Sequence, residues 1–286
     1  VGAQLVDVVL RHIAEDNGLQ VEHLQRLTGG DINEVFLLSC TTRKVVAKCN
    51  QSHTYPGMFE AEKKGLSLLA SAGAFRVPKV LAIGDKDSNA YLLLEYIESG
   101  NMGSTFWQRF AEQLAALHTT TQAHFGLDHD NYIGSLRQYN CPERTLVDFY
   151  LNQRLLPQFR MAIDKGYSFP RLDQFYKQLA TLLPEEAPAL LHGDLWGGNF
   201  MVSAQGEPVL IDPAVVYGPR EMDIAMMQLF GGFDASVFNN YNELFPMQPR
   251  WQDRLQIYQL YYLLVHLNLF GSSYLDRVQH IAKRYT

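Results

Sequence analysis

The hydrophobic period changes once along this chain, and that change limits the folds open to it. Up to about residue 96 the apolar residues come in short, strand-like runs. Val35 to Cys40 and Lys44 to Cys49 form one pair of runs, joined at Thr41-Thr42-Arg43, and Val77 to Ile83 and Tyr91 to Tyr96 form another, joined by Asp85 to Asn89. Two helical patterns interrupt them, one with a face of Leu5, Val8, Val9, His12 and Ile13, the other running from Gly57 to Ala72. Beyond Glu98-Ser99-Gly100 the spacing becomes helical. Phe106, Phe110, Leu114 and Leu117 make one stripe, and Leu172, Phe175, Tyr176, Leu179 and Leu183 a second. Trp251, Leu255, Tyr258, Tyr262, Val265 and Leu269 make a third. The expected architecture is α+β and two-lobed: a small N-terminal β-rich lobe over residues 1–96 and a larger, mainly helical C-terminal lobe over residues 97–286. At 286 residues the chain is long enough for a substantial core.

Composition narrows the partners. With 24 Lys and Arg against 30 Asp and Glu the net charge is −6, whereas a protein that held nucleic acid through a broad field would be basic, so no nucleic-acid partner is expected. A local basic site for a phosphate stays open. Cys40, Cys49 and Cys141 are odd in number and lack CxxC spacing, which points to a reducing compartment, hence a cytoplasmic protein without a zinc or disulfide framework. The opening VGAQLVDVVLRHIAEDNG is amphipathic and acidic, unlike a secretory leader, although the numbering starts at Val1 rather than Met. No apolar run is long enough to span a bilayer, so no membrane partner is expected.

Chemistry concentrates in LLHGDLWGGNFMV, which begins at Leu190. Phe200 to Val202 and Pro208 to Ile211 both read as strands. A two-residue turn at Gln205-Gly206 pairs Val202 with Val209 and Phe200 with Ile211, and sets Asn199 beside Asp212. An amide oxygen and a carboxylate side by side suit Mg²⁺, which takes one or two carboxylates and completes its shell with water and phosphate. Asp194 lies five residues before Asn199. A carboxylate there can orient a hydroxyl beside a metal-bound phosphate and accept its proton, in the D-x-x-x-x-N spacing of a kinase catalytic loop. Turn chemistry alone also accounts for HGD and GGN; the downstream aspartate favours catalysis.

A second signal lies upstream. In MFEAEKKGLSLLASAG, Glu62 falls on the apolar face of Phe59, Leu66 and Leu69. A carboxylate on that face needs a partner, and Lys48, in the strand VVAKC, is the candidate. A strand lysine paired with a helix glutamate is the kinase device for holding ATP phosphates. Taken singly, a lysine at a strand edge and a glutamate at a helix rim are the commoner state; their order ahead of HGD argues otherwise. Gly29 and Gly30 begin a loop whose backbone can cover phosphates, but it lacks GxGxxG spacing and an ordinary turn explains it equally well. Glu95, Tyr96 and Ile97 end a strand where a hinge would bind adenine, by position in the order alone.

With these residues in view, the chain resembles the fructosamine-3-kinase (ketoamine kinase) family, within the protein-kinase-like group that includes aminoglycoside phosphotransferases and choline kinases. HGDLWGGN at 192–199, IDPAVVYGPREMDIAM at 211–226 and FGGF at 230–233 carry the likeness, with GGDINEVF at 29–36, FEAEKKGL at 59–66 and DNYIG at 130–134. The resemblance implies a two-lobed protein-kinase-like fold and ATP-dependent phosphorylation of the sugar 3-hydroxyl in ketoamines, small or protein-bound, after which the adduct falls apart. It implies Asp194 as general base, Asn199 and Asp212 as Mg²⁺ ligands, and Lys48, fixed by Glu62, on ATP. Trp196 packs on the sugar or supports the loop from within; the two readings stand level. Arg220, Glu221 and Asp223 are expected to bolster the loop. Two departures stand out. The glycine-rich loop lacks the cysteine that some members use for redox-sensitive dimers. Leu146 replaces a tryptophan ahead of Phe149-Tyr150, which implies a different substrate pocket. Two alternatives remain: the same fold acting on an aminoglycoside, choline-like or other small alcohol, and a silent nucleotide binder.

Overall fold

The structure is a computed structural model and describes residues 2–27 and 32–286. Helix α1 (Gly2–Asp16) leads into β1 (Val21–Leu27), β2 (Glu34–Cys40) and β3 (Lys44–Gln51), followed by α2 (Met58–Ala72), β4 (Val80–Lys86) and β5 (Asn89–Glu95). The strands form one antiparallel sheet in the order β1-β2-β3-β5-β4. Alternation along the strands gives the sheet two buried faces. Phe36, Leu38, Val45, Ala47 and Leu93 pack with Leu10 and Ile13 of α1. Leu92 and Leu94 turn the other way and join Phe59, Leu66 and Leu69 of α2 in the main core. The edge strand β1 had no clear period in the sequence, because none of its residues is fully buried and four of its seven are exposed.

The remainder is mainly helical. It comprises α3 (Phe106–His118), the hairpin β6 (Asn131–Ile133) and β7 (Leu136–Gln138), and α4 (Leu146–Phe149), which runs through a π-helical turn (Tyr150–Leu155) into α5 (Leu156–Asp164). Then come α6 (Leu172–Leu182), β8 (Ala189–Leu191), β9 (Phe200–Val202), β10 (Pro208–Leu210) and β11 (Val216–Gly218). Helices α7 (Glu221–Phe230), α8 (Ser236–Leu244), α9 (Trp251–Phe270) and α10 (Leu275–Arg284) complete the chain. The three helical stripes of the sequence correspond to α3, α6 and α9. Helix α9 is apolar nearly all round, with Leu260 to Val265 buried without a break, as a central helix of a bundle should be. No helix among the described residues is long and apolar enough to cross a membrane.

The β9–β10 hairpin forms with a register one residue away from that expected. Val202 pairs with Pro208, Met201 with Val209 and Phe200 with Leu210. The cause is the loop, which has three residues rather than two. Ser203 N–H donates to the Glu207 carbonyl (2.9 Å), and the Ser203 hydroxyl accepts from the N–H groups of Gln205 and Glu207. Gly206 takes the left-handed position at φ 76°, the usual closure of a three-residue hairpin loop. Asn199 therefore faces Ile211, whose N–H donates to its carbonyl at 3.0 Å. Asp212 comes one step later, itself left-handed at φ 50°, in backbone few side chains adopt without cost.

Candidate active site

Lys48 projects from β3 toward α2 and meets two carboxylates. Its Nζ lies 2.5 Å from Glu62 Oε1 and also bonds Asp212 Oδ1. The Lys48 and Glu62 side chains are only 10% and 12% exposed, so each needs the other. Burial alone would lower the Lys48 pKa, but the two carboxylates outweigh it and hold the ammonium firmly charged. For Glu62 burial wins and the pKa rises despite Lys48. For Asp212 burial works upward, but the Lys48 charge and hydrogen bond keep the carboxyl below its ordinary range. The expected Lys48–Glu62 pair is present, and Asp212 is a third member the spacing did not show.

The loop after β8 is held from beneath. Asp223, on α7, accepts from the backbone N–H groups of His192 and Gly193, both at 3.0 Å, and lies 2.9 Å from His118 Nε2. Burial keeps the His192 pKa low, so its neutral ring can donate from Nε2 to the Ile211 carbonyl (2.8 Å) and accept the Asp194 N–H at Nδ1 (3.1 Å). Gly193 turns at φ 89°, and a Cβ there would lie 1.9 Å from the Ala214 carbonyl, so only glycine fits. Arg254 forks onto Glu221 at 3.0 Å, and Arg220 bonds Glu186 and the carbonyls of Phe245 and Pro246. These residues brace the loop, Asp223 directly and Arg220 and Glu221 through the seat of α7.

Asp194 tops this loop. Its burial, with the Asp212 charge behind it, pushes the carboxyl up to about 7. Asn199 Nδ2 donates to the Asp194 carbonyl (2.9 Å) and to its Oδ2 (3.3 Å). Asp194, Asn199, Asp212, Lys48 and Glu62 all line one cleft of about 650 Å³. Trp196 lines it too: its indole lies over Gly198 of the same loop, where an added Cβ would come within 2.3 Å of the ring, and 42% of the residue stays exposed.

An aromatic wall also lines the cleft beside the catalytic loop, where Gly231 and Gly232, which follow Phe230, pack against Gly197. Phe230, from the end of α7, is 40% exposed, and Phe270, from the end of α9, is 59% exposed. His266 lies between them, its ring 4.9 Å from Phe230 and 5.6 Å from Phe270. Its Nδ1 is 2.7 Å from the Tyr262 carbonyl and burial lowers its pKa, which keeps the ring neutral with Nε2 as its acceptor. The FGGF stretch at 230–233 held a signal for Phe230; nothing in the sequence singled out His266 or Phe270.

Other sequence-predicted positions fall elsewhere. Gly29 and Gly30 lie outside the described residues. Glu95, Tyr96 and Ile97 are not among the residues lining the cleft around Lys48. Glu95 accepts from Arg76 (2.9 Å) and from the Lys79 N–H (3.0 Å), Tyr96 lies under the Lys44 ammonium, and Ile97 is buried. Leu146, Phe149 and Tyr150 are core residues away from the cleft lining, so the substitution at 146 alters packing rather than the pocket as expected.

Comparison with known proteins follows the same lines. The family model described as Fructosamine kinase matches residues 5–286. A relative from Enterococcus faecium, provisionally named ketoamine kinase, is 40% identical over 265 residues, covering 91% of this chain and 94% of its own. A solved structure from Haemophilus somnus, provisionally named fructosamine-3-kinase, aligns with a TM-score of 0.87 at 29% identity, over 97% of this chain and 96% of that one. Spectinomycin phosphotransferase, solved with ADP and spectinomycin, shares the fold: TM-score 0.62 at 13% identity, over 96% of this chain and 91% of that one.

Proposed function

We propose that this chain, which belongs to the fructosamine kinase family, phosphorylates the 3-hydroxyl of the sugar in ketoamines such as ribulosamine and fructosamine adducts, a deglycation-type activity. Family membership makes it an ATP-dependent phosphotransferase acting on a sugar hydroxyl of ketoamines; the choice of O3 and the repair role are the finer reading. One observation carries it: Asp194, with a carboxyl near 7, shares a cleft with the Lys48–Glu62 pair, Asp212 and Asn199. A base poised near the working pH can take the acceptor's proton as the phosphoryl group arrives.

Each residue then has a task. Lys48, oriented by Glu62, meets the ATP phosphates. Asp194 receives and orients the hydroxyl, held in place by Asp223 through the His192 and Gly193 amides. The glycine loop at Gly29 and Gly30 covers the phosphates, and the chain at Glu95 to Ile97, outside the lining of the cleft, is left the adenine end through its backbone groups, in a cytoplasmic enzyme. A divalent cation fits the remaining donors. Asn199 turns Nδ2 to Asp194, which leaves Oδ1, and Lys48 engages Asp212 through Oδ1, which leaves Oδ2. These are hard oxygens, two in number, as Mg²⁺ prefers beside a phosphate. When bound, Mg²⁺ would neutralise charge on the transferring phosphoryl group.

The lining also separates ketoamines from aminoglycosides. Among the described residues that line the cleft, the carboxylates are Glu62, Asp194 and Asp212, and Lys48 engages two of them. A polycationic acceptor would find little to bind, whereas the sugar of a ketoamine can lie against Trp196 and the aromatic wall. ADP release with Mg·ATP, offered ribulosyl-lysine, fructosyl-lysine, an aminoglycoside and choline in parallel, tests the reading. Turnover on ketoamines, lost in Asp194→Ala, is expected. Turnover confined to another alcohol would discard it.

A further inference from the structure

The motif Asp130-Asn131-Tyr132-Ile133-Gly134 has no task in the reaction so far, yet its hairpin lines the cleft. The stem of β6–β7 is fixed by buried amides. Asn131 Nδ2 donates to the Val215 carbonyl (2.9 Å), and Gln138 Nε2 donates to the Ala214 carbonyl (3.1 Å) and to Asn131 Oδ1 (2.9 Å). Asn140 Nδ2 donates to the same Asn131 oxygen at 2.8 Å, and the Tyr261 hydroxyl to Gln138 Oε1 at 2.9 Å. Asn131, Gln138 and Asn140 are at most 5% exposed, and breaking a bond there leaves a polar group stranded. The stem is therefore rigid relative to its partners. Those partners follow Asp212 directly, and the Ala214 N–H donates to the His192 carbonyl at 2.9 Å. Hairpin, Asp212 segment and catalytic loop form one body.

The tip of this body touches the other lobe. The Tyr132 hydroxyl donates to the Pro56 carbonyl at 2.8 Å, and its ring meets Tyr55 edge-on, 6.4 Å between centroids. At the turn, a Cβ on Gly134 would lie 3.0 Å from Leu269 Cδ1 and 3.6 Å from Ile32 Cδ1, just ahead of β2. Pro56 stands two residues before α2, whose Glu62 holds Lys48. A closed circuit results: Asp212 to the hairpin, the hairpin to α2, α2 to Lys48, and Lys48 back to Asp212. Packing explains the Tyr132 ring; it does not explain a hydroxyl aimed at a backbone carbonyl of the opposite lobe.

We propose that Tyr132 is a positioning residue of the phosphoryl transfer: the β6–β7 hairpin is a strut between the lobes, and the Tyr132–Pro56 bond sets where α2 and Lys48 stand relative to Asp194. The inference rests on the kinase reading of the cleft. Tyr132→Phe keeps the ring and deletes the bond, and one such bond is worth about fivefold in an equilibrium. With Mg·ATP and fructosyl-lysine, kcat should fall about fivefold while the KM for the ketoamine holds. Amide exchange over residues 54–62, measured without nucleotide, should quicken by a similar factor. The exchange arm needs no acceptor. If the wild type turns over no ketoamine, the functional reading fails and the positioning role with it, while the strut stands or falls on exchange alone. Unchanged exchange overturns the strut. Faster exchange with unchanged kcat overturns the positioning role. A raised ketoamine KM at unchanged kcat would make Tyr132 an acceptor contact and overturn it as well.

Discussion

The cleft has two walls built on opposite principles. On one, the polar groups hold one another: Lys48 bonds Glu62 and Asp212, and the Asn199 amide donates to Asp194. On the other, Phe230 and Phe270 stand 40% and 59% open, with His266 between them. Buried charge is tolerated only when paired, so the first wall is part of what keeps the fold together. The open rings contribute little to the fold and leave their faces for a ligand. Substitutions on the charged wall should disturb stability and turnover together; those on the aromatic wall should touch function alone.

The severest test of that contrast is Asp194, where the two effects should run in opposite directions. Asp194→Asn should lower kcat about a thousandfold. Its carboxyl is raised in the folded protein to about 7 from an ordinary 3.8. Its contribution to stability is therefore full below the unfolded value and lost as pH rises through the folded one. At pH 8 the buried carboxylate is a burden, and the metal-free Asn variant should melt about 3 °C above the wild type. At pH 4 the two should melt together. A melting difference that did not vary with pH would show that the carboxylate is well solvated.

Lys48→Met should lower turnover about a hundredfold. Because it strands Glu62, it should also cost about 3 kcal/mol in denaturant unfolding. Adding Glu62→Gln should return part of that stability and none of the activity. A double variant no more stable than the single would mean that Glu62 does not depend on Lys48. The smallest effect is expected on the aromatic wall. Phe270→Ala should raise the acceptor KM about fivefold. It should leave the KM for ATP alone and the unfolding free energy within about 0.5 kcal/mol. A loss of stability there would erase the distinction between the walls.

The same contrast explains what could be read from the chain. Asp194, Asn199 and Asp212 were legible because their distances along the chain become distances in space through one short hairpin. Even there the register slipped by one, since Gln205-Gly206 looks like a two-residue turn until Ser203 is seen to close a three-residue loop. Lys48 and Glu62 were legible because a charged residue on an apolar face demands a partner. Nothing comparable marks His266 or Phe270, and Phe230 stood out only as the first residue of FGGF, for the family likeness and with no task attached. Their rings belong to α7 and α9, where an aromatic reads as core, and only tertiary packing decides which ends lie open. Leu146 misled for the converse reason: a residue that differed from a family pattern proved to face the interior. Strand β1 went unread because an exposed edge strand carries little alternation.

Trp196 has a practical consequence. The chain has three tryptophans, and Trp196 is the one exposed at the cleft; Trp107 is packed among Phe106, Phe110 and Phe200. An indole in that position changes its emission when water leaves its face. The molecule thus carries an optical reporter at the mouth of its own cleft, able to register a small ligand before any product assay exists for it.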